Sequence, residues 1–447
     1  MIRTDLRFAT GLRPAGLTRC RLQNEPQKGD SQMTHPQMPK IDPALVEDMI
    51  MSLAQFGTVG DTGVCRLVYS EEWKEAQALV RTWAEAAGLE TRFDAVGNLW
   101  AKAEGQDRGP SLVTGSHIDS QRSGGRYDGA LGVIAGLVAI KTLVETFGPP
   151  KRPLELVSFC EEESSRFPTA GFWGSRAIVG RSSPADCETV LDEDGAPISA
   201  AMRACGFDPA RIAEARRNDI AGFIELHIEQ GPILEDANLP VALVDAITHI
   251  RHTEVTLTGT SNHAGAFPMD IRNDPMAGMV EIASAAIAHA EALGRPAVTT
   301  IGQCTIDPNA PAIIPRSVTF TIDARHPDPA AAKALHDKHN VIMDEIADKR
   351  GLALSRRLTL DHPPCQSAPA FLEAMQGAAD AAGIAVMRMP SGAGHDAQQM
   401  SRICPVAMLF VRSKDGRSHT PEEYSSIPDI VDGIQVLAGA LYRLAYA

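Results

Sequence analysis

The chain has little of what marks several large classes of protein. Its 447 residues hold 42 Lys and Arg against 56 Asp and Glu, a formal charge of −14 at pH 7. That balance argues against a nucleic-acid binder, which normally carries a basic face, and against steering toward an anionic membrane surface. The eight cysteines, Cys20, Cys65, Cys160, Cys187, Cys205, Cys304, Cys365 and Cys404, are scattered with no CxxC pair. This excludes a disulfide framework and predicts reduced, mostly buried thiols in a cytoplasmic protein. The longest apolar run, about residues 130–140, is too short to span a bilayer and reads as a core helix. No GxSxG element, P-loop or GxGxxG fingerprint occurs, and there is no internal repeat or low-complexity tract.

What is present is a soluble globular composition, 44% hydrophobic and 22% charged, on a chain long enough for two domains. Residues 1–40 differ, with Arg3, Arg7, Arg13, Arg19 and Arg21, several prolines and no periodicity. A transit peptide has such a composition; a disordered extension, or a start assigned too early with Met33 or Met38 as the true one, is the preferred reading.

Periodicity predicts helices over 42–55, 70–87 and 130–147, a strand pair over 91–103 turning at Gly97-Asn98, and a buried strand over 154–160. A strand-like run, 224–228, carries His227. From 246 the character changes. Strands at 251–258, 297–306, 317–324 and 352–360 alternate with helices at 273–293 and 328–349, in the order β-α-β-β-α-β of a ferredoxin-like sandwich. A helix at 368–382, a strand at 406–411 and a final helix at 427–445 return to the first pattern. The fold class is therefore α/β, a catalytic domain over 41–245 and 365–447 with a ferredoxin-like lid and dimerisation domain inserted at 246–364.

The polar residues gather where first-domain strands end. The stretch GSHIDSQRSGGRYDGALGVIAG places His117, Asp119 and Asp128 between a strand and a helix, where sites are built in open α/β sheets. Glu161, Glu162 and Glu163 follow the next strand, and His227 precedes Gln230-Gly231-Pro232. Taken alone, three acids are more often a solvated loop, and a lone strand histidine more often a satisfied core residue. Gathered at one sheet edge with His419, they suit two divalent ions about 3.5–4 Å apart and a free carboxylate base. Nitrogen and carboxylate donors without cysteine favour Zn²⁺, Mn²⁺, Co²⁺ or Ni²⁺.

Seven segments, GSHIDSQRSGGRYDGALGV, EEESSRF, ELHIEQGPILE, TGTSNHAGAFPMDIRNDP, TIDARH, GAGHDAQ and DGRSHTPEE, resemble those of dinuclear-metal amidohydrolases of the hydantoinase/carbamoylase type. The resemblance runs in order from about Asp42 to the C-terminus. It implies that His117 and His227 hold one metal, Glu163 and His419 the other, and that Asp128 bridges them. It implies Glu162 as general base, Asp119 as the residue that orients His117, and His263 as the oxyanion stabiliser, which in related enzymes can belong to the dimer partner. Gln230, Asn262, Arg325 and Gly394 would contact a small ureido or amide acid, Arg325 clamping its carboxylate. The implied assembly is a homodimer through the inserted domain, and the implied activity is hydrolysis of a linear C–N bond. An N-carbamoyl-L-amino acid is the first expectation, giving amino acid, CO₂ and ammonia. Allantoate, ureidoglycolate or an atypical N-substituted acid is the second; a dipeptidase, aminopeptidase or metal-free binding protein is less favoured.

One departure bears on the substrate. Where such proteins carry an Asn before the arginine strand, this chain has Ala312, and Arg316 replaces a Gly. Loss of that donor weakens carboxylate binding by about 1–3 kcal/mol unless Asn309 or Arg316 compensates. Arg412 and Thr420 are milder departures.

Overall fold

The computed structural model describes residues 38–447. The expectation for residues 1–40 therefore lies, up to residue 37, outside the described residues.

A nine-stranded mixed sheet forms the larger layer. From one edge its strands run Glu90–Phe93, Leu99–Ala103, Leu154–Phe159, Ser111–His117, Ile220–Ile228, Val406–Val411 and Val241–Ile247. Val386–Ser391 pairs in parallel with Val241–Ile247, whose last residues also pair with Cys365–Gln366. The four strands that carry or precede the acids and histidines are mutually parallel, so their C-terminal ends share one edge of the sheet. They are buried along most of their length, which explains near-continuous apolar runs in place of alternation.

The helix Ala130–Phe147 buries twelve residues, against the His117 strand and the final helix Ile427–Ala445. It and Pro275–Leu293 are long and apolar enough to cross a membrane, but the first is a core helix. Helix ends follow local chemistry. Ser70 accepts from Trp73 N to open Glu71–Ala86, and Ser426 accepts from Asp429 N to open the final helix.

The second layer is a four-stranded antiparallel sheet, ordered Val298–Asp307, Ser317–His326, His249–Thr258, Ala353–His362. Two helices, Pro275–Leu293 and Pro329–Arg350, pack on it around Val255, Leu257, Ile282, Phe320 and Leu335. Asp328 caps the second helix, and Gly351, at φ 62°, ends it. This is the ferredoxin-like order, intercalated in the chain between Val241–Ile247 and Cys365–Gln366. A two-residue ribbon, Asn262–His263 against Ile313–Ile314, extends it at the end away from the large sheet.

Candidate metal centre and active site

Asp128 lies at the centre of the cluster, and its two oxygens face different partners. Oδ1 lies 3.1 Å from His227 Nε2 and 3.7 Å from His117 Nε2. Oδ2 lies 3.3 Å from His419 Nε2, which is itself 3.4 Å from Glu163 Oε2. Two sets result, His117–Asp128–His227 and Asp128–Glu163–His419, with donor atoms within 4.8 Å of one another in each. The first is buried; His419, 49% exposed, opens the second toward solvent.

The local sequence explains how the cluster closes. Gly129 holds φ 61°, and a Cβ there would stand 2.3 Å from the His117 ring, so only glycine lets the chain turn under the imidazole. Glu423 Oε1 accepts from Tyr127 N and Asp128 N, at 2.9 and 3.0 Å, and fixes the same turn from the far end of the chain. Gln230 and His419 sit at φ 59° and 57°, a left-handed backbone uncommon outside glycine and asparagine. Gln230 is held there by Ser413 Oγ accepting from its N–H. Its side chain donates from Nε2 to Asp128 Oδ2 at 2.9 Å, the same oxygen that faces His419.

Glu162 Oε2 stands 3.8 Å from His117 Nε2 and is largely buried. Burial, then the negative charges of Glu163, Asp396, Asp119 and Asp128, push its carboxyl well above the ordinary range. Burial and Asp128 raise Glu163 to about 8. Burial works against Asp128 too, but hydrogen bonds with His227 and His419 hold it well below the ordinary range. Burial disfavours protonated His227, yet its bond to Asp128 lifts it to about 9; His419, bonded to the same carboxylate, reaches about 9.

Asp119 differs in detail from the expectation. The atom 3.0 Å from His117 Nδ1 is its main-chain oxygen; the carboxylate is 3.8 Å away. Asp119 Oδ2 instead accepts from Glu163 N, while Oδ1 is buried without a hydrogen-bond partner. Arg66, 1% exposed, donates from Nε to the Ile118 carbonyl and so pins this turn from behind.

The other named residues do not gather at the cluster. Arg325 donates to both oxygens of Asp323 and, from Nη1, to the Gly392 carbonyl, so it stands where the two layers meet. Gly392 and Ala393 line the cavity beside it; Gly394 packs against Phe172 and Ile250. His263 and Asn262 lie on the remote ribbon, His263 exposed, with its Nδ1 accepting from Gly265 N and Ala266 N. The Ala312 carbonyl accepts from Ala264 N in the same ribbon, and Arg316 is paired with Asp307. Among the described residues neither His263 nor Asn262 bonds to the metal-type cluster.

Sequence reasoning passed over several supports. Glu423 and Ser418 buttress Asp128, Gln121 donates to Glu163 Oε2 at 2.7 Å, and Asp396 accepts from Ser175. Glu423, Ser418 and Gln121 are common loop residues and Asp396 opens the short helix Asp396–Met400, and only the fold gives each its partner.

Residues 113–443 match the family model "Peptidase family M20/M25/M40". The chain is 40% identical over 407 residues to allantoate amidohydrolase of Bacillus subtilis, covering 90% of this chain and 97% of the relative. It is 34% identical over 402 residues to N-carbamoyl-L-amino-acid amidohydrolase of Paenarthrobacter aurescens, covering 89% and 97%. Among solved structures, a hydantoinase/carbamoylase family amidase from Burkholderia multivorans superposes with a TM-score of 0.82 at 31% identity, over 91% of this chain and 99% of that one. With that fold and those strand-end residues, the chain belongs to peptidase family M20/M25/M40, and within it to the hydantoinase/carbamoylase-type amidohydrolases.

Proposed function

We propose that this hydrolase of linear, non-peptide C–N bonds acts on an N-carbamoyl-L-amino acid with two divalent ions bound. The observation that carries the reading is the divided Asp128 carboxylate, one oxygen toward His117 and His227 and the other toward His419 and Glu163. The residues fit such ions. The donors are nitrogen and carboxylate oxygen only, the acids crowd together, and buried Asp119 Oδ1 and Glu163 Oε1 have no hydrogen-bond partner. Zn²⁺, Mn²⁺, Co²⁺ or Ni²⁺ suits that set. When bound, two such ions supply positive charge that polarises a carbonyl and acidifies water.

The chain's own residues do the rest. Glu162 accepts a proton from the attacking water and returns it to the leaving nitrogen. Gln230 faces the substrate beside Asp128. Arg325 has one N–H left on each terminal nitrogen after its bonds to Asp323 and Gly392, enough to hold a carboxylate.

Ion binding must displace protons. In the ion-free protein His227 and His419 keep theirs up to about pH 9, and Glu163 up to about pH 8. Apparent affinity for Zn²⁺ should therefore rise steeply from pH 6.5 to 8.5, with proton release on binding. Competition against a chromophoric chelator measures this; an affinity flat across that range contradicts the ligand set.

A second subunit is needed to complete the site. Arg325 pairs with Ile250 at the end of the small sheet nearest the cluster, whereas Ser317 pairs with Thr258 at the other. The eight steps from Ser317 to Arg325 span about 26 Å, and His263 lies beyond Ser317 on the ribbon. One chain cannot bring Arg325 and His263 to the same small acid. A homodimer through the small sheet solves this, and that sheet has a surface for it. Val298–Asp307 is an edge strand, and the adjoining helix exposes Val280, Ile287 and Leu293. His263→Ala and Arg325→Ala should each abolish nearly all turnover. Co-expressed, they should recover roughly a quarter of wild-type activity, because half the dimers are mixed and each mixed dimer has one intact site. No recovery in proven mixed dimers contradicts the shared site.

Allantoate is the second reading, favoured by the 40% identity to an allantoate amidohydrolase. An ammonia-release screen of N-carbamoyl amino acids, allantoate, ureidoglycolate and N-acyl acids, with each metal added, separates them.

A further inference from the structure

The helix Pro329–Arg350 and the small sheet leave a cavity of about 440 Å³ between them, a size common among small-molecule sites. His336, His339, Asn340 and Met343 face it at helical spacing, i, i+3, i+4 and i+7. On the sheet side, Thr253 pairs with Ile322 and with Leu358, and Arg251 pairs with Ala324. Arg325, next along the strand from Ala324, lines the space where the two layers meet. Consecutive strand residues point to opposite faces, so the two cavities lie on opposite sides of one strand.

The lining holds two guanidiniums, Arg251 and Arg356, and no carboxylate. Arg251 gives Nε and Nη2 to Asp361. Arg356 gives Nη1 to Asn340 Oδ1 and Nη2 to Asp344. Arg251 Nη1, Asn340 Nδ2 and Thr253 Oγ1 have no hydrogen-bond partner among the described residues. His336 is 5% exposed, and its Nε2 lies 3.4 Å from the Ala324 carbonyl oxygen. A carbonyl only accepts, so Nε2 carries the hydrogen and Nδ1 keeps a lone pair. That Nδ1 is buried with no hydrogen-bond partner. Burial, opposed by the Ala324 bond and helped by the charge of Arg251, holds this imidazole down at about 4. At neutral pH it is therefore an uncharged acceptor.

Three unspent donors beside two guanidiniums suit a carboxylate. The unspent lone pair suits an N–H. Ile322, Met343 and Leu358 give the body of such a molecule an apolar side. The N–H has to be uncharged, because an ammonium would stand against both guanidiniums.

We propose that this cavity is a second binding site, for a small carboxylic acid that carries an uncharged N–H beside its carboxylate. Arg251, Asn340 and Thr253 hold the carboxylate, and His336 accepts from the N–H.

Calorimetry on the metal-loaded, full-length protein tests this with three ring acids that contain no linear C–N bond to hydrolyse. Pyrrole-2-carboxylate has an uncharged N–H, furan-2-carboxylate an oxygen in its place, and L-proline an ammonium. The first should bind with a Kd at or below about 1 mM, and the other two about tenfold more weakly or worse. Arg251→Gln and Thr253→Val should each weaken pyrrole-2-carboxylate about tenfold. His336→Phe should erase its advantage over furan-2-carboxylate, whereas Arg325→Ala, on the other face, should leave its binding unchanged. If His336→Phe does not fold, the wild-type ratio of the two acids still reads the N–H, and the near-isosteric Thr253→Val still reads the place. Furan-2-carboxylate or L-proline binding as tightly as pyrrole-2-carboxylate overturns the proposal. So does the absence of millimolar binding, or binding that survives both Arg251→Gln and Thr253→Val.

Discussion

Replacing Glu162 with glutamine should lower kcat by about 10³- to 10⁴-fold, the scale of a lost general base, with metal content and KM little changed. Glutamine keeps the shape and the place beside His117 Nε2, 3.8 Å from the carboxylate in the wild type, but accepts no proton. Because Glu162 belongs to neither ligand set, the ions have no reason to leave. The measurement is steady-state ammonia release alongside elemental analysis of the same preparation. Activity above about a tenth of wild type, with both ions in place, would give the proton transfer to another residue.

Asp128→Asn should have the larger effect, because it removes the group common to both sets. Each Asp128 oxygen faces an imidazole nitrogen, and Oδ2 also accepts from Gln230 Nε2 and Ser418 Oγ. An amide presents one N–H₂ in place of one oxygen. Turned either way, it sets donors against one histidine pair or against Gln230 and Ser418. Ion stoichiometry should fall from two per chain to one or fewer, and kcat/KM by about 10⁴-fold or more, since charge stabilisation and water activation are lost together. Glu423 still holds Tyr127 N and Asp128 N, so the fold should survive, which the far-ultraviolet circular dichroism spectrum checks. A variant that keeps two ions per chain contradicts the bridge.

Much of this architecture was legible because it has a short-range cause. The helices Ala130–Phe147 and Ile427–Ala445 and the β-α-β-β-α-β run fall within a residue or two of their expected ends, set by periodicity, capping residues and glycine. The strands Val241–Ile247 and Val386–Ser391 were not foreseen. They pair with each other across about 145 residues of chain, and Arg388 and Pro390 break any strand-like pattern in the second. At the site, His117, Asp128, Glu162, Glu163, His227 and His419 could be named because each sits at a strand end or in the loop that leaves it. Sequence could not show that His117 meets the Asp119 main-chain oxygen in preference to its carboxylate, which depends on the path of the turn. Nor could it show that Arg325 and His263 stand at opposite ends of one sheet, which depends on register.

The central claim is that two ions, joined through Asp128, are both needed to cleave a ureido C–N bond. The most direct measurement titrates Mn²⁺ or Zn²⁺ into ion-free protein and follows bound metal and ammonia release from an N-carbamoyl-L-amino acid together. Activity should stay low through the first equivalent and reach its plateau at two ions per chain. Full activity at one ion per chain, or without any, would contradict the account.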